Sequence, residues 1–539
     1  MENPFLTNQS KRWCYGLWLL LIGIYAMVHA LHLSADFPNH TRWFSDWAKY
    51  TDEGWYGNAA VRSHLFGSWY LKGDFNPAVA LPVWPFLEWM LFFITGVTLQ
   101  AARGLAVSFF FVNLLLSYLL LKSRGPRWVG LLAVTLLVTS PFLYCFSRLA
   151  ILEPMLTALT LAAMNLAVRL PRLRRPMVAS VGIGLLFTLM MLTKTTAVFL
   201  LPALGWALLL PLWHRRKLAL RCGVAALGAA AISFGAWITV VARLGLLGDY
   251  SYLFFINKYP KPTEFYWPLL SAKWSFNGGL WVDHILIPLA GLVVAGAALA
   301  WQRTWGRRLL LDPVFGASVW AVAGYLLFMT YQNHPQPRYY AVVALFCFIL
   351  VAQGAEALAG YLAAVEKPAR HRHKARIAGW AVVGLGVAAV GINCAQTMRY
   401  VLHPQYTFIN AARGLTRYID AHPNGKRLLV SISGDQITMA THLPTLCDDF
   451  GTEELHSKLA DYDPGWYAAW NDLDPGTLED IHTHFRLEQV ASFSAFDDPE
   501  RDQLVLFKLH RLPSGRVRDP GEQELKVVLD DDRVVIPVE

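Results

Sequence analysis

Eleven mostly apolar stretches, each near the roughly 20 residues a helix needs to cross a bilayer, dominate this chain. They fall at 13–33, 103–121, 128–147, 151–169, 177–193, 195–213, 218–244, 284–301, 313–330, 341–363 and 377–394. A helix that is apolar on every side belongs in a membrane or deep in a large core. Composition agrees: of 539 residues, 55% are hydrophobic and 16% charged, against about 25% charged in soluble domains. A disordered chain, a coiled coil and an ordinary soluble enzyme are excluded. The sequence predicts a polytopic α-helical membrane protein with about 11 transmembrane helices. A soluble α/β domain follows them at the C-terminus.

Charge separates the two parts. Residues 395–539 hold 24 of the 38 acidic and 14 of the 47 basic residues, a net of −10. The remainder carries +19, so the overall +9 marks basic loops on a membrane body and not a nucleic-acid partner. Short loops rich in Lys and Arg stay cytoplasmic. Such clusters occur at Lys11-Arg12, 122–127, 169–175, 214–217, 302–308 and 366–376. All six fall inside only if a twelfth apolar stretch, 81–98, does not span. That stretch is short, begins with Pro82 and Pro85, and carries Glu88. It reads as a re-entrant or interfacial helix on the outer face, with Glu88 as a solvated carboxylate. The N-terminus is then inside and the C-terminal domain outside. A cleaved signal peptide is the alternative for the first stretch. The six Cys form no CxxC pair, and the five in or at the edge of apolar runs read as buried small hydrophobes, not as a disulfide or zinc framework.

The expected domains are a membrane domain over 1–394, a soluble domain over 395–515 and a flexible tail over 516–539. The first outer loop, 34–102, is long and aromatic. A helix fits Asp52 to about Trp69, with Trp55, Ala59, Leu65 and Trp69 apolar and Arg62 polar. It reads as an amphipathic helix on the outer leaflet, capped by Thr51 or Asp52. Carboxylates in its first turn are favoured by the helix dipole. Charges at membrane depth are costly and often functional, so the few acids of the body stand out. Asp52 and Glu53 are adjacent, and Glu153 opens the fourth stretch beside Arg148. The competing readings are helix capping for the pair and an Arg148 ion pair for Glu153. Lys194 and Arg338 are outer-face cations that could hold a phosphate, or else snorkel to headgroups. The loop 250–283 adds Lys258, Lys261 and Lys273 among aromatics, as a flap over a lipid-sugar site or an interface belt.

These segments together resemble a family. Asp-Glu opens a helix in a long first outer loop and a Pro-containing interfacial helix follows. SRLAILEP lies in the second outer loop, LTK between the fifth and sixth stretches, and PRY before a late one. The set is similar to the GT-C superfamily of membrane glycosyltransferases, of the protein O-mannosyltransferase and aminoarabinose transferase type (family 39-like). The likeness covers about residues 10–350. It implies Asp52 as the catalytic carboxylate, with Glu53 as its neighbour. Glu153 stands where the family often has Asp. Lys194, Arg338 and Lys258 become donor-phosphate contacts, and Trp55, Tyr56, Arg148 and Tyr339 substrate contacts. The Lys-Pro-Pro segment of some members is absent, since 76–85 read NPAVALPVWP. That leaves its phosphate contact open, with Lys72 nearby.

The resemblance implies transfer of a sugar from a polyprenyl-phosphate donor to an acceptor hydroxyl on the extracytoplasmic face, with inversion. The implied partners are that donor, membrane lipids and an acceptor glycan, lipid or protein. No cofactor is called for, and a divalent metal stays open. A bacterial inner membrane is the expected location. The alternatives are a diphosphate-donor transferase or polymerase, a lipid or sugar transporter, and a non-catalytic scaffold. In the soluble part, Phe408–Ala421 reads as a helix, and Arg427–Ser433 and Asp502–Leu509 as strands. Asp448 and Asp449 read as a solvated acidic face.

Overall fold

A computed structural model describes residues 8–37, 46–256, 286–300, 305–332, 336–364, 369–496, 498 and 501–513. The chain divides into two compact units. The first comprises Met1–Leu31, Gly104–Val240 and Tyr259–His403. The second comprises His32–Arg103, Val241–Lys258 and Pro404–Glu539, so the long first loop packs with the C-terminal domain.

All eleven expected stretches are helical. Seven helical segments are long and apolar enough to cross a membrane: Arg12–Ala30, Leu99–Lys122, Pro176–Thr193, Thr195–Leu212, Arg216–Arg243, Pro337–Gly360 and Gly379–Ala421. The others are shorter apolar helices: Arg127–Thr139, Glu153–Ala167, Leu286–Ala300 and Pro313–Met329. Leu220, Val224 and Ile232 on the helix Arg216–Arg243 are largely exposed, as lipid-facing side chains would be. The third stretch, expected as one helix over 128–147, breaks at Thr139. Ser140 turns extended and caps a new short helix, Pro141–Phe146, its hydroxyl accepting from Leu143 N at 3.2 Å. Pro141 has no N–H to continue the earlier helix and suits the first turn of the next.

The second unit is built on a five-stranded sheet of order β2-β1-β3-β5-β4. The strands are β1 Leu429–Val430, β2 Thr445–Leu446, β3 Trp466–Trp470, β4 Phe485–Ser494 and β5 Gln503–Arg511. β1 runs parallel to β2 and β3, while β5 is antiparallel to β3 and β4. All of β3 is buried. Its Trp466, Ala468 and Trp470 enter one apolar cluster, and Tyr467 and Ala469 the cluster on the other face. The helix Thr407–Ala421 covers the first face through Phe408, Ala411, Ala412, Leu415 and Ile419. Its N-terminus is capped from the first loop: Asp36 accepts from Thr407 N at 2.7 Å and Phe408 N at 3.2 Å. Tyr50 of the same loop packs into this core against Trp470 and Phe496.

The loop helix departs from expectation. It runs Asp52–Phe66 and stops at Gly67, whose φ of 78° is the left-handed C-cap conformation that glycine adopts without strain. Trp69 therefore lies beyond it. The helix is not an amphipathic surface element, since ten of its fifteen residues are buried, Arg62 included. Thr51 holds the N-cap position, but its hydroxyl donates to Trp47 O at 3.1 Å and does not cap. The 81–98 stretch forms the 13-residue helix Val83–Thr95, with Phe93 and Ile94 exposed.

Candidate active site

Asp52 and Glu53 open their helix from buried positions in the second unit. Glu53 is held in a two-pronged ion pair by Arg103, Nε to Oε1 at 2.7 Å and Nη2 to Oε2 at 2.6 Å. Such forks are the strongest carboxylate contacts a side chain offers. Arg103 also donates to the carbonyls of Leu33 at 2.9 Å and Ala35 at 2.5 Å. Gln436 adds a third donor to Glu53, its Nε2 lying 3.2 Å from Oε2. Asp52 Oδ1 accepts from the Thr51 hydroxyl at 3.3 Å.

Further along the helix, Arg62 bridges two buried carboxylates, Asp74 at 2.6 Å and Asp435 at 2.9 Å. Asn58 donates to Asp435 at 3.0 Å and to Phe75 O at 2.8 Å. Lys458 completes the network 3.4 Å from Asp74 and donates to Cys447 O at 2.8 Å. Two cations face two carboxylates here, which is the condition for burying charge. Burial pushes the Asp435 carboxyl up to about 6, with the Arg62 charge opposing. Glu88 corrects an expectation: it is wholly buried, not solvated. A Cβ at Gly57 would stand 2.1 Å from its Oε2, so the carboxyl fits only against a glycine. Burial raises its pKa well above the carboxylate range, with the Trp84 indole opposing and the Glu53 charge adding.

In the first unit, Glu153, Lys194, Arg338 and Tyr339 come together. Glu153 begins the helix Glu153–Ala167, whose first turn is pinned by Asn113, donating to Pro154 O at 2.8 Å and Thr157 Oγ1 at 2.9 Å. Lys194 is the extended residue that ends the helix Pro176–Thr193. Its Nζ lies 2.5 Å from Glu153 Oε1 and 4.8 Å from the Tyr339 ring centre. Arg338 lies in the turn Pro337–Tyr339, its guanidinium 4.9 Å from the same centre. Lys194 is 5% exposed and Arg338 3%, so neither snorkels. Glu153 Oε2 is buried without a hydrogen-bond partner among the described residues.

Glu153 thus pairs with Lys194, not with Arg148. Arg148 stacks on Tyr144 and donates to its hydroxyl and to Leu31 O. Trp55 is packed edge-on against Phe75 and Phe450 in an apolar cluster, and Tyr56 is half-buried. Lys72 is surface-exposed and pairs with Glu453 and Asp461. Lys258, Lys261 and Lys273 lie outside the described residues. Asp448 is only half-exposed, accepts from Tyr467 OH at 2.7 Å, and is pushed up to about 6 by burial. Among the described residues no group of His, Cys, Asp or Glu could hold a metal ion. Arg103, Gln436 and the Asp74–Asp435 network escaped the sequence reading. Only Arg103, a lone cation in an apolar helix, carried a local signal.

Residues 77–239 match the sequence family described as dolichyl-phosphate-mannose-protein mannosyltransferase. Among solved structures the chain is similar to ArnT from Cupriavidus metallidurans bound to undecaprenyl phosphate. Identity is 13% and the TM-score 0.60, over 91% of this chain and 98% of that one. The chain shares the fold of that membrane protein. The chain is also similar to the apo oligosaccharyltransferase of Archaeoglobus fulgidus, at 12% identity and a TM-score of 0.54, over 94% of this chain and 75% of that one. Archaeal AglB from the same organism, in complex with an inhibitory peptide and a dolichol-phosphate, gives 11% and 0.53, over 96% and 76%. A search of curated proteins by sequence returns no match. The resemblance read from the short motifs agrees with the family match over 77–239 and with the shared fold.

Proposed function

We propose that this chain is a membrane glycosyltransferase of the GT-C type, which moves a sugar from a polyprenyl-phosphate donor to an acceptor hydroxyl and inverts the anomeric centre. The observation that carries this reading is the buried cluster of Glu153, Lys194 and Arg338 around Tyr339. Two buried cations at one ring suit a phosphate monoester, Arg338 by paired hydrogen bonds and Lys194 as a point charge. The unsatisfied Oε2 of Glu153 suits an acceptor hydroxyl or developing positive charge on the sugar. Support for the donor class comes from ArnT, solved with undecaprenyl phosphate, and AglB, solved with a dolichol-phosphate. The bacterial inner membrane, the extracytoplasmic side and the domain limits 1–394 and 395–515 are part of the proposal, supported by the basic clusters.

In the proposed step the acceptor oxygen attacks the anomeric carbon as Asp52 takes its proton. A new glycosidic bond forms, the bond from that carbon to the phosphate oxygen breaks, and polyprenyl phosphate leaves with the electron pair. Lys194 and Arg338 stabilise the charge that grows on it. The test uses the full chain in lipid nanodiscs with radiolabelled polyprenyl-phosphate sugars. Release of polyprenyl phosphate by wild type, insensitive to chelator and lost in Asp52→Asn at unchanged melting temperature, is expected. Near-normal turnover in Asp52→Asn removes that residue from the role. No release from any donor moves the weight to a diphosphate donor or a transporter.

A further inference from the structure

The acidic pair is seated on the C-terminal domain by a close backbone contact. Gly54, Asn58 and Arg62 recur at intervals of four, so they form one stripe of the helix Asp52–Phe66. That stripe lies on the start of the helix Gly434–Thr441. A Cβ at Gly54 would stand 2.2 Å from Gln436 N, so only glycine lets the two backbones approach this closely. One and two turns on, Asn58 and Arg62 take the two oxygens of Asp435 at 3.0 and 2.9 Å. Gln436, 1% exposed, sends Nε2 to Glu53 Oε2 at 3.2 Å and to Lys49 O at 3.1 Å. Both targets are acceptors, so the amide orientation is fixed: the NH2 faces Glu53. Its Oε1 is left buried with no hydrogen-bond partner among the described residues.

We infer that the helix Gly434–Thr441 is a positioning element of the transfer reaction, with Gln436 fixing the Glu53 carboxylate and, through it, the first turn that carries Asp52. This rests on the reading of Asp52–Glu53 as the reaction's acidic pair. It gives the C-terminal domain a part in the chemistry beyond any choice of acceptor. Gln436 touches no reacting atom and acts through Glu53.

The test compares Gln436→Met and Gln436→Glu with wild type, as full chains in nanodiscs. Gln436→Met keeps the volume and removes both the donor and an unsatisfied oxygen, so folding should survive it. The expected result is a melting temperature close to wild type and kcat down about ten- to a hundredfold, with KM for the donor unchanged. In Gln436→Glu a second carboxylate faces Glu53 and adds negative charge beside the first turn, which raises the pKa of the neighbouring base Asp52, so the acid limb of the pH–rate profile moves to higher pH. Wild-type kcat and an unshifted profile in both variants overturn the inference. Hydrogen exchange over 52–66 supplies a readout independent of turnover. Protection there should fall in Gln436→Met, and protection equal to wild type overturns the seat itself. Absence of turnover in wild type with every donor refutes the functional reading, and exchange then decides the seat separately.

Discussion

Removing the Lys194 ammonium separates a phosphate contact from a structural strut. Lys194 Nζ and Glu153 Oε1 are 2.5 Å apart, and both side chains are at least nine-tenths buried. At an effective dielectric of about 20, unit charges this close attract by roughly 7 kcal/mol. Desolvation of both offsets much of that, so the pair adds little over a neutral, well-packed one. Removing one partner is different, because a lone buried carboxylate remains, at a cost of about 3–5 kcal/mol. Lys194→Met should therefore unfold at clearly lower temperature than wild type in nanodiscs. Glu153→Gln/Lys194→Met should recover most of the loss, because no charge is stranded. Polyprenyl phosphate release should be absent from both, since neither has the ammonium that would hold the phosphate. A double variant that melts like wild type and also turns over like wild type would make the pair a strut and refute the phosphate role. A single variant with unchanged melting would refute the energetics.

Three further outcomes follow from the second unit. Arg103→Leu strands Glu53 and two carbonyls, and should cost about 3–5 kcal/mol. Arg103→Lys should recover only part, because an ammonium cannot make the fork; thermal melts of the two variants check both statements. Asp36→Ala removes the cap from Thr407–Ala421 and should cost about 1–2 kcal/mol, read as a lower melting temperature with faster amide exchange at 407–410. Asp448 has its pKa raised to about 6 by burial, so the folded state keeps a proton that the unfolded chain has released. Stability from this group is full below about pH 4 and lost as pH rises through about 6. Asp448→Asn should raise the melting temperature at pH 7.5 and leave it unchanged near pH 4, and an equal gain at both would take the Asp448 proton out of the effect.

Length and polarity were enough to place the helices, because the membrane requirement is one-dimensional. The break in the third helix was also written locally, in Ser140-Pro141. The sheet was harder to read. β3, Trp-Tyr-Ala-Ala-Trp, is buried on both faces, so it lacks the alternation that marks a half-buried strand. β4, from Phe485 to Ser494, is polar enough to pass for a loop, and its Val490 lies at a bulge. Side-chain partners were the least legible. A helical wheel put Arg62 on the wet side, but its counter-charges are Asp74, 12 positions on, and Asp435, 373 positions away. Sequence proximity offered Arg148 to Glu153, whereas the true partner is Lys194, 41 positions on. Local pattern shows that a charge is present. Whether water or a distant carboxylate satisfies it is decided by tertiary structure.

The neighbours Asp52 and Glu53 show why that distinction matters for chemistry. A wheel separates them by about 100°, so they enter different surroundings. Glu53 accepts two charge-assisted bonds from Arg103 and a third from Gln436. To take a proton it would have to weaken all of them, and Arg103 would be left without its counter-charge. Asp52 Oδ1 lies 3.3 Å from the neutral Thr51 hydroxyl, whose one proton is shared with Trp47 O at 3.1 Å. A base must change its protonation state in every cycle, and the proposed reading gives that part to Asp52. Glu53 is the fixed charge that holds the turn. Glu53→Gln should then lower the melting temperature by stranding Arg103, whereas Asp52→Asn should leave it alone and stop release. The reverse pattern, a stable and inactive Glu53→Gln beside an unstable Asp52→Asn, would exchange the two roles.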